Sequence, residues 1–317
     1  MLSIIPHPFF SDLTAELAQD VVRLLKPVSL TTGDVLFRQG TVGDSAYFIT
    51  HGKLAVDINL PGGEVSRIAE AGHGKVVGEL ALMASNNHRT ATISALEDTQ
   101  MLAMQCRDLQ ALCAHFHPAA LILMEKLQRQ LREAIGRMDR ERMQLACAPI
   151  AHLPVCYTRR EGASFQLPAF VQQLDFFHAF SRSEINEFLA MATVWTLDRG
   201  SVLFSPQESN GSTYLVLRGS LDICAQIDED IRRLTVIGPG RLCRDSGDWS
   251  ADALPAFALV REHATVLEFT AETMHRLKQP ENQLSYQFLS ANMYSLMERL
   301  TIETRAVSRE RRSEALL

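Results

Sequence analysis

A carboxylate and a guanidinium lie in one short segment of this chain and could together bind a phosphorylated sugar. Residues 78–93 read Gly-Glu-Leu-Ala-Leu-Met-Ala-Ser-Asn-Asn-His-Arg-Thr-Ala-Thr-Ile, which places Glu79 ten residues before Arg89. Residues 78–83 can form one helical turn, whose first backbone N–H groups point at an approaching anion. Arg89 can make a bidentate contact with a phosphate. Glu79 would repel that phosphate, so we expect it to accept a hydrogen bond from a neutral group such as a ribose hydroxyl. The alternative is an ordinary surface ion pair, which is common and weak.

Short apolar runs separated by turn residues surround this segment. The runs cover residues 28–30, 35–37, 46–50, 54–60, 65–69, 90–95 and 99–104. Glycines stand at several corners between them, and we expect these to supply positive φ angles or tight turns. The corner glycines are Gly33, Gly40, Gly43 and Gly52. Short strands at this spacing indicate an antiparallel barrel or jelly roll.

In this order and at these distances, residues 28–104 resemble the cyclic nucleotide-binding domain family. That family includes the catabolite activator, the regulatory subunits of cAMP-dependent protein kinase and the cyclic-nucleotide-gated channels. The motifs that carry the resemblance are Gly-Asp-Val-Leu-Phe-Arg-Gln-Gly (33–40), Gly-Asp-Ser-Ala-Tyr-Phe-Ile (43–49), Gly-Lys-Leu (52–54), Gly-Glu-Leu-Ala-Leu (78–82) and Arg-Thr-Ala-Thr (89–92).

The resemblance implies a binding site and a role for each residue in it. Glu79 would hold the ribose 2′-hydroxyl, Arg89 the cyclic phosphate, and three backbone amides would complete the phosphate cradle. The implied ligand-binding set is Gly78, Glu79, Leu80, Ala81, Arg89, Thr90 and Ala91, with the amides of residues 80, 81 and 91 in the cradle. The Thr90 hydroxyl could reach a guanine amino group, or the residue could simply start a strand. We favour cAMP over cGMP as the ligand.

The domain is then repeated. A shift of 167 carries Gly33 to Gly200 and Tyr47 to Tyr214, and it also carries residues 35–37 to residues 202–204. Near the end of the domain the shift becomes 165. A nearly fixed offset over this length indicates duplication.

The second copy departs from the first at the positions expected to bind ligand. Residues 243–244 are Cys-Arg where the first copy has Gly-Glu, and residues 254–256 are Leu-Pro-Ala where it has Arg-Thr-Ala. Pro255 also lacks an N–H donor. We therefore expect the second domain not to bind a cyclic nucleotide in the manner of the family.

The predicted fold is mainly β with flanking α-helices, in two tandem antiparallel jelly-roll domains joined by a long helix. The predicted domains are 1–146 (with the trailing helix), a linker over 147–168, and 169–317. Short helices are predicted over 12–25 and 182–192, with Ser11 and Ser181 as N-caps. A long helix follows each barrel, with apolar stripes on Leu123, Leu127, Leu131, Ile135 and Met138 and on Leu289, Met293, Leu296, Leu300 and Val307. The first long helix carries the candidate base-capping residues Gln128, Arg129, Arg132 and Glu133, among which the sequence does not choose.

Composition limits the functional classes. The chain has 317 residues and a net charge of −6, which gives no support for nucleic-acid binding. The sequence predicts no membrane span, no signal peptide, no metal site and no cofactor. It contains no Gly-x-Ser-x-Gly, His-Glu-x-x-His or phosphate-loop motif. These observations predict a cytoplasmic protein that is not an enzyme.

The function predicted from the sequence is a cyclic-nucleotide receptor that signals to an unidentified protein partner through rearrangement of the long helix. The first alternative is a ligand-independent scaffold, and a DNA-binding regulator ranks below it because no helix-turn-helix segment follows the second domain. The apolar stripe of the last helix could form a homodimer seam. We favour the homodimer, and the competing arrangement is a helix folded back on the second barrel, which would leave a monomer.

Overall fold

The computed structural model describes residues 7–59, 63–82, 87–144, 158–163, 167–205, 211–227, 230–243, 256–279 and 283–315. The chain divides into two compact units, one formed by residues 1–128 with 304–309 and the other by residues 129–303 with 310–317. Each unit contains an antiparallel barrel of jelly-roll type, with helices before and after it, so the predicted fold class is confirmed.

The first barrel consists of two four-stranded sheets and a short ribbon. Its strands are β1 Lys26–Leu30, β2 Val35–Phe37, β3 Val42–Gly43, β4 Ser45–His51, β5 Lys53–Asn59, β6 Val65–Gly72, β7 Val76–Val77, β8 Asn87–His88, β9 Thr92–Ala95 and β10 Thr99–Gln105. One sheet has the order β1-β10-β4-β7, the other has the order β2-β9-β5-β6, and β3 pairs with β8. The strand register places Met101 opposite Ile49 and Ile93 opposite Val56.

The second barrel repeats the strand order of both four-stranded sheets of the first. Its strands are β11 Arg159–Glu161, β12 Thr193–Leu197, β13 Val202–Phe204, β14 Thr213–Arg218, β15 Leu221–Ile227, β16 Asp230–Ile237, β17 Leu242–Cys243, β18 Ala256–Val260 and β19 Ala264–Phe269. The orders β12-β19-β14-β17 and β13-β18-β15-β16 correspond to the two sheets of the first barrel, and β11 adds an edge strand to the former. The duplication seen in the sequence is therefore also a duplication of strand order.

The range predicted as a linker contains regular structure towards its end. Residues 159–161 form β11, which pairs with β12 of the second barrel, and a helix begins at residue 167. Residues 145–157 and 164–166 lie outside the described residues. The domain boundaries remain a prediction.

The core of the first barrel lies between its two sheets. Inward-facing residues of both sheets meet there because side chains alternate between the two faces of a strand. The fully buried members are Ile49, Leu54, Ala71, Val77, Ile93, Ala95 and Met101, and Phe37 and Tyr47 pack against them. This packing fixes one face of β2 and β4 beside the segment that carries Arg89.

The helices agree with the predicted stripes and correct one predicted cap. They are α1 Ala15–Val22, α2 Cys106–Ala114, α3 Pro118–Gln144, α4 Leu167–Val171, α5 Arg182–Ala190, α6 Ala271–Arg276 and α7 Gln283–Ala315. Ser181 caps α5 as predicted, and the structure adds a complete capping box with Glu184. The cap of α1 is Thr14 and not Ser11, because Ser11 closes the preceding 3-10 turn through its N–H bond to the Pro8 carbonyl.

The apolar stripe of α3 is buried along its whole predicted length, from Leu123 (1% exposed) to Met138 (7% exposed). In α7, Leu289 and Met293 are buried within the single chain, and Phe288 contacts Phe176 and Phe188 of the second unit. The first part of α7 therefore folds back on its own barrel, and these residues are not available as a seam between two chains.

A histidine is buried in an aromatic cluster of the first unit. His7 is 3% exposed and its ring lies 5.8 Å from the rings of Phe10 and Phe48. Its Nδ1 accepts a hydrogen bond from the Phe9 N–H at 3.1 Å. Burial lowers the pKa of His7 to about 4, and repulsion from His73 adds to this effect.

Because of this shift, we expect the free energy of unfolding to fall as pH decreases between about 6.5 and about 4. In that window the unfolded chain binds a proton at His7 and the folded chain does not, so the loss reaches roughly 3 kcal/mol. Denaturant titrations at several pH values measure it. His7→Asn should flatten the profile, whereas His51→Asn, at an exposed histidine, should leave it unchanged. An identical slope in the His7 variant would contradict the prediction.

Candidate functional site

Arg89 is fixed by backbone hydrogen bonds to the turn that precedes β3. Its N–H donates to the Thr41 carbonyl at 2.7 Å, and its own carbonyl accepts from the Gly40 N–H at 2.8 Å. The pairing of β3 with β8 continues this short ribbon up to the arginine. The backbone of residue 89 therefore has a defined position although the residue lies in no regular strand.

The guanidinium group of Arg89 is held against the wall of the barrel. The residue is 7% exposed, and its Nη1 donates to the Ser45 carbonyl at 2.8 Å and to the Gly78 carbonyl at 3.3 Å. Its central carbon lies 4.0 Å from the centre of the Phe37 ring and 6.0 Å from that of Tyr47. A cation over an aromatic face is attracted by the ring quadrupole, so the stacking orients the charge.

Two glycines leave the space that the Arg89 side chain occupies. A Cβ at Gly43 would overlap the guanidinium of Arg89, and one at Gly78 would lie 2.5 Å from Nη1. Gly78 also has φ of +71°, a conformation that L side chains rarely adopt. Gly43 is not one of the glycines with a positive φ angle. Its role is therefore close approach to Arg89, and of the two predicted roles, a positive φ or a tight corner, the positive φ does not apply to this glycine.

One donor of Arg89 has no acceptor in the part of the chain that the structure describes. Its Nε is buried and forms no hydrogen bond among the described residues. Burial lowers the pKa of the guanidinium, and Tyr47, Asp44 and Glu79 act in the opposite direction. Because arginine stays charged in proteins, the site contains a fixed, desolvated cation with an unused N–H.

Glu79 begins the short turn on the other side of the site. Residues Glu79–Leu82 form a 3-10 helix, which matches the helical turn expected from the sequence. Burial raises the pKa of the Glu79 carboxyl, and its own backbone N–H and the charge of Arg89 oppose that rise. The Ala81 amide, expected in a phosphate cradle, here donates to the Gly78 carbonyl at 3.1 Å. Donation from this amide to a ligand would have to share or replace that bond.

The other predicted site residues differ in exposure. Ala91 is 7% exposed, Thr90 is exposed and Leu80 is half-buried. Among the candidate capping residues, Gln128 is 2% exposed and belongs to the first unit, whereas Arg129, Arg132 and Glu133 belong to the second.

The same positions of the second barrel retain the aromatic pair. Phe204 and Tyr214, which correspond to Phe37 and Tyr47, stack with ring centroids 5.9 Å apart. Cys243, at the position of Gly78, is 4% exposed. Residues 244–255, which include the counterparts of Glu79 and Arg89, lie outside the described residues.

The site includes residues that the sequence reasoning did not select for binding. Phe37, Tyr47 and the carbonyl of Ser45 all contact or flank the guanidinium. A usable signal existed, because the 167-residue shift aligns both aromatic residues with aromatic residues in the second copy.

The described residues contain neither a metal-binding cluster nor a membrane-spanning helix. In that part of the chain, no group of three or more histidine, cysteine, aspartate or glutamate side chains could hold a metal ion. None of the helices there is both long enough and apolar enough to cross a bilayer.

A family model matches part of this chain, and several known proteins are similar to it. Residues 27–116 match the family model of the cyclic nucleotide-binding domain. The chain is 35% identical to Lysophospholipase nte1 of Aspergillus fumigatus over 114 residues, which are 36% of this chain and 7% of that protein. It is 30% identical to the Cyclic AMP receptor protein of Thermus thermophilus over 132 residues, which are 42% of this chain and 61% of that protein.

Among solved structures, the N-terminal domain of a transcriptional regulator from Streptomyces coelicolor A3(2) is 31% identical. The match covers 42% of this chain and 92% of that domain, with a TM-score of 0.36. The chain thus spans less than two thirds of the two curated relatives named above.

Proposed function

Residues 27–116 belong to the cyclic nucleotide-binding domain family, and from this premise we propose that the chain is a receptor for a cyclic mononucleotide that prefers cAMP to cGMP. The ligand occupies the first barrel, with its cyclic phosphate on Arg89 and its ribose 2′-hydroxyl on Glu79. Gly78, Leu80, Ala81, Thr90 and Ala91 complete the site.

The observation that carries this proposal is the buried Nε donor of Arg89, which lacks an acceptor among the described residues. A buried donor without an acceptor costs about 1–3 kcal/mol, and the Nε of this fully charged group has none among the described residues. A phosphate oxygen satisfies that donor and compensates the buried charge. The stacking on Phe37 and the glycines at 43 and 78 keep the guanidinium in place before ligand arrives.

Calorimetry on the purified full chain tests the proposal. We expect saturable binding of cAMP, weaker binding of cGMP, and much weaker binding of adenosine 5′-monophosphate, which carries an extra charge and no cyclic diester. Absence of binding by every cyclic nucleotide would favour the ligand-independent scaffold. Mass spectrometry of ligand retained during purification from cells would identify the natural nucleotide.

The role of Glu79 predicts non-additive losses of affinity. Glu79→Ala should weaken cAMP binding by on the order of 1.5–3 kcal/mol, the usual value for a hydrogen bond to a charged group. Removing the 2′-hydroxyl from the ligand should then cost little more, because its partner is already absent. Calorimetry with cAMP and 2′-deoxy-cAMP on both proteins completes the double-mutant cycle. Simple addition of the two losses would remove Glu79 as the ribose partner.

The second barrel leads us to predict one cyclic nucleotide per chain. Its sequence has Arg244 and Leu254 where the first barrel has Glu79 and Arg89. A titration of the full chain should therefore saturate at one equivalent, and Arg89→Ala should remove it entirely. Two equivalents, with one of them surviving in the Arg89 variant, would be the contrary result.

We further propose that helix α3 carries the signal. It runs without interruption from residue 118 to residue 144, and its residues up to 128 belong to the first unit and the following ones to the second. Ligand that binds one arrangement of this helix more tightly shifts the population towards it. The output is an altered surface for a protein partner.

A homodimer remains an alternative only through the exposed side of α7, and light scattering with and without cAMP distinguishes it from a monomer.

In this proposal the chain is a non-enzymatic regulator, and its cytoplasmic location remains a prediction. The division into domains 1–146 and 169–317 likewise remains a proposal. Limited proteolysis with and without cAMP would locate the boundary.

A further inference from the structure

Two glycines of the first barrel lie directly against the guanidinium of Arg89. A Cβ added at Gly43 would fall closest to Nε and Cζ of that side chain, and one added at Gly78 would fall closest to Nη1. Both positions are nearer than the 3.0 Å below which real Cβ contacts essentially never occur. Neither residue can therefore carry a side chain while the guanidinium keeps its present place.

The hydrogen bonds of the guanidinium leave one of its edges for a ligand. Its Nη1 carries two hydrogens, and it donates to the Ser45 carbonyl at 2.8 Å and to the Gly78 carbonyl at 3.3 Å. Among the described residues, Nε has no acceptor and Nη2 makes no hydrogen bond. These two nitrogens form the side of the planar fork that can bind two phosphate oxygens. The space left by Gly43 adjoins this edge, because a Cβ there would meet Nε.

The fold of the barrel does not by itself require glycine at these two positions. Gly43 is not among the residues with a positive φ angle, so its backbone is open to other residues. Gly78 has a φ of +71°, but Cys243, its counterpart in the second barrel, has no positive φ. The adjoining strands still pair there, since β17 pairs with β14 as β7 pairs with β4. The left-handed turn at residue 78 is therefore a feature of the first site and not of the strand order.

The second copy of the domain has lost these glycines together with the arginine. At the shifts that align the two copies, other residues stand at the positions of Arg89, Gly43 and Gly78. The replacements are Leu254 for Arg89, Asn210 for Gly43 and Cys243 for Gly78. Where no guanidinium has to be accommodated, the sequence does not retain the glycines that make space for it.

Corner glycines that do not meet the guanidinium are retained. Gly33 and Gly52 have positive φ angles, and a Cβ added at either would not meet Arg89. Gly40 also has a positive φ, but its N–H donates to the Arg89 carbonyl, and this glycine is lost. The second copy thus keeps glycines that serve only as corners and loses those that contact residue 89. The counterparts are Gly200 for Gly33, Gly219 for Gly52 and Gln207 for Gly40.

We propose that Gly43 and Gly78 are positioning residues of the nucleotide site, which hold the Nε and Nη2 edge of Arg89 towards the ligand although neither has a side chain that could contact it. The left-handed turn at Gly78 is retained for this purpose. For its effect on affinity, this inference rests on the function proposed above. The position of the guanidinium itself does not depend on which ligand binds.

Gly43→Ala is the sharper of the two substitutions, because it adds a methyl group without straining φ. The atoms that this methyl group would overlap belong to a flexible side chain, so the guanidinium should move and the fold should remain. We expect the affinity for cAMP to fall by about 10- to 100-fold, as for the loss of a hydrogen bond to a charged group, with a melting temperature close to that of wild type. Calorimetry and thermal unfolding measure the two quantities.

Gly72→Ala is the matched control in the same barrel. Gly72 lies in β6 without a positive φ, and a Cβ there would meet only the Gly52 carbonyl, at 3.8 Å. This variant should keep the affinity of wild type. Wild-type affinity in a folded Gly43→Ala protein overturns the proposal, and so does an equal loss of affinity in Gly72→Ala.

A thermodynamic cycle with Arg89→Lys separates positioning from a structural role. A lysine ammonium has no planar edge to orient. Arg89→Lys should therefore lower the affinity for cAMP strongly in the wild-type background and only slightly in the Gly43→Ala background. Losses that simply add would show that Gly43 acts independently of Arg89 and would overturn the proposal.

The Nε–H resonance of Arg89 reports the position of the guanidinium without a ligand. It is assigned in ¹H–¹⁵N spectra of the full chain by its absence in Arg89→Lys. We expect it to be preserved in Gly72→Ala, and to shift or be lost to solvent exchange in Gly43→Ala, because Nε is buried in the wild type. An unchanged resonance in Gly43→Ala overturns the positioning role.

Addition of cAMP to the wild-type chain then tests the edge that binds. The Nε–H resonance should shift on saturation, because this donor gains a phosphate acceptor. Saturable binding of cAMP without such a shift overturns the assignment of the edge. If no cyclic nucleotide binds, the proposed function fails, whereas the comparison of Gly43→Ala with Gly72→Ala in the absence of ligand still decides the positioning role.

Discussion

Arg89→Ala is expected to reduce the affinity for cAMP by on the order of 2–4 kcal/mol, or about 30- to 1,000-fold. The substitution removes the buried cation that stacks on Phe37. It also removes the Nε donor, which has no acceptor among the described residues. Calorimetry on wild type and variant measures the loss. Arg89→Lys should recover only part of it, because a lysine ammonium cannot make the planar bidentate contact.

Two controls show whether the loss reflects the site or the fold. Arg89 also donates to the carbonyls of Ser45 and Gly78, so the melting temperature of each variant should be compared with that of wild type. Arg67→Ala removes an arginine of the same barrel that pairs with Asp57 on the exposed face of the sheet, and it should leave affinity unchanged. A folded Arg89→Ala protein with wild-type affinity would disprove the phosphate assignment.

Arg142→Ala is expected to destabilise the second unit by about 3–5 kcal/mol, the usual cost of removing one partner of a buried ion pair. Arg142 Nη1 lies 2.8 Å from Glu303 Oε2, and its Nη2 lies 3.2 Å from Glu310 Oε1. Glu303 is 0% exposed, so its carboxylate would remain buried without its cation. Urea unfolding followed by tryptophan fluorescence reports on this unit, because both tryptophans, Trp195 and Trp249, lie in it.

A matched pair of variants distinguishes the loss of a buried charge partner from the loss of a side chain. Arg142→Met combined with Glu303→Leu removes both charges and should recover much of the stability, since buried ion pairs can be replaced by apolar residues. Arg160→Ala breaks the pair with Asp198, in which Arg160 is 67% exposed, and should cost no more than about 1 kcal/mol. Similar losses in Arg142→Ala and Arg160→Ala would show that burial does not determine the cost.

Local patterns in the sequence predicted much of the first barrel and its duplication. Short apolar runs with glycines at their corners indicated a jelly roll, and the repeat at 167 residues predicted a duplication. The two barrels show that duplication in the order of their strands. Ser181 caps α5 as predicted, because the hydrogen bonds of this cap join residues only three apart. Glu79 and Arg89 were also selected from short-range information, because the two residues lie ten positions apart, in one turn and the loop that follows it.

What the tertiary structure decided involves contacts between residues far apart in the chain. The place of Gly43 beside the Arg89 guanidinium depends on how the β3–β8 ribbon closes, and no local pattern encodes that distance. The pairs that Arg142 forms with Glu303 and that Asp139 forms with Arg299 join residues 160 or more positions apart. In the sequence these groups look like the solvated charges of two long helices. Only packing that excludes water turns them into a buried network. The free-energy cost of a charged group depends on its desolvation, which the local sequence does not determine.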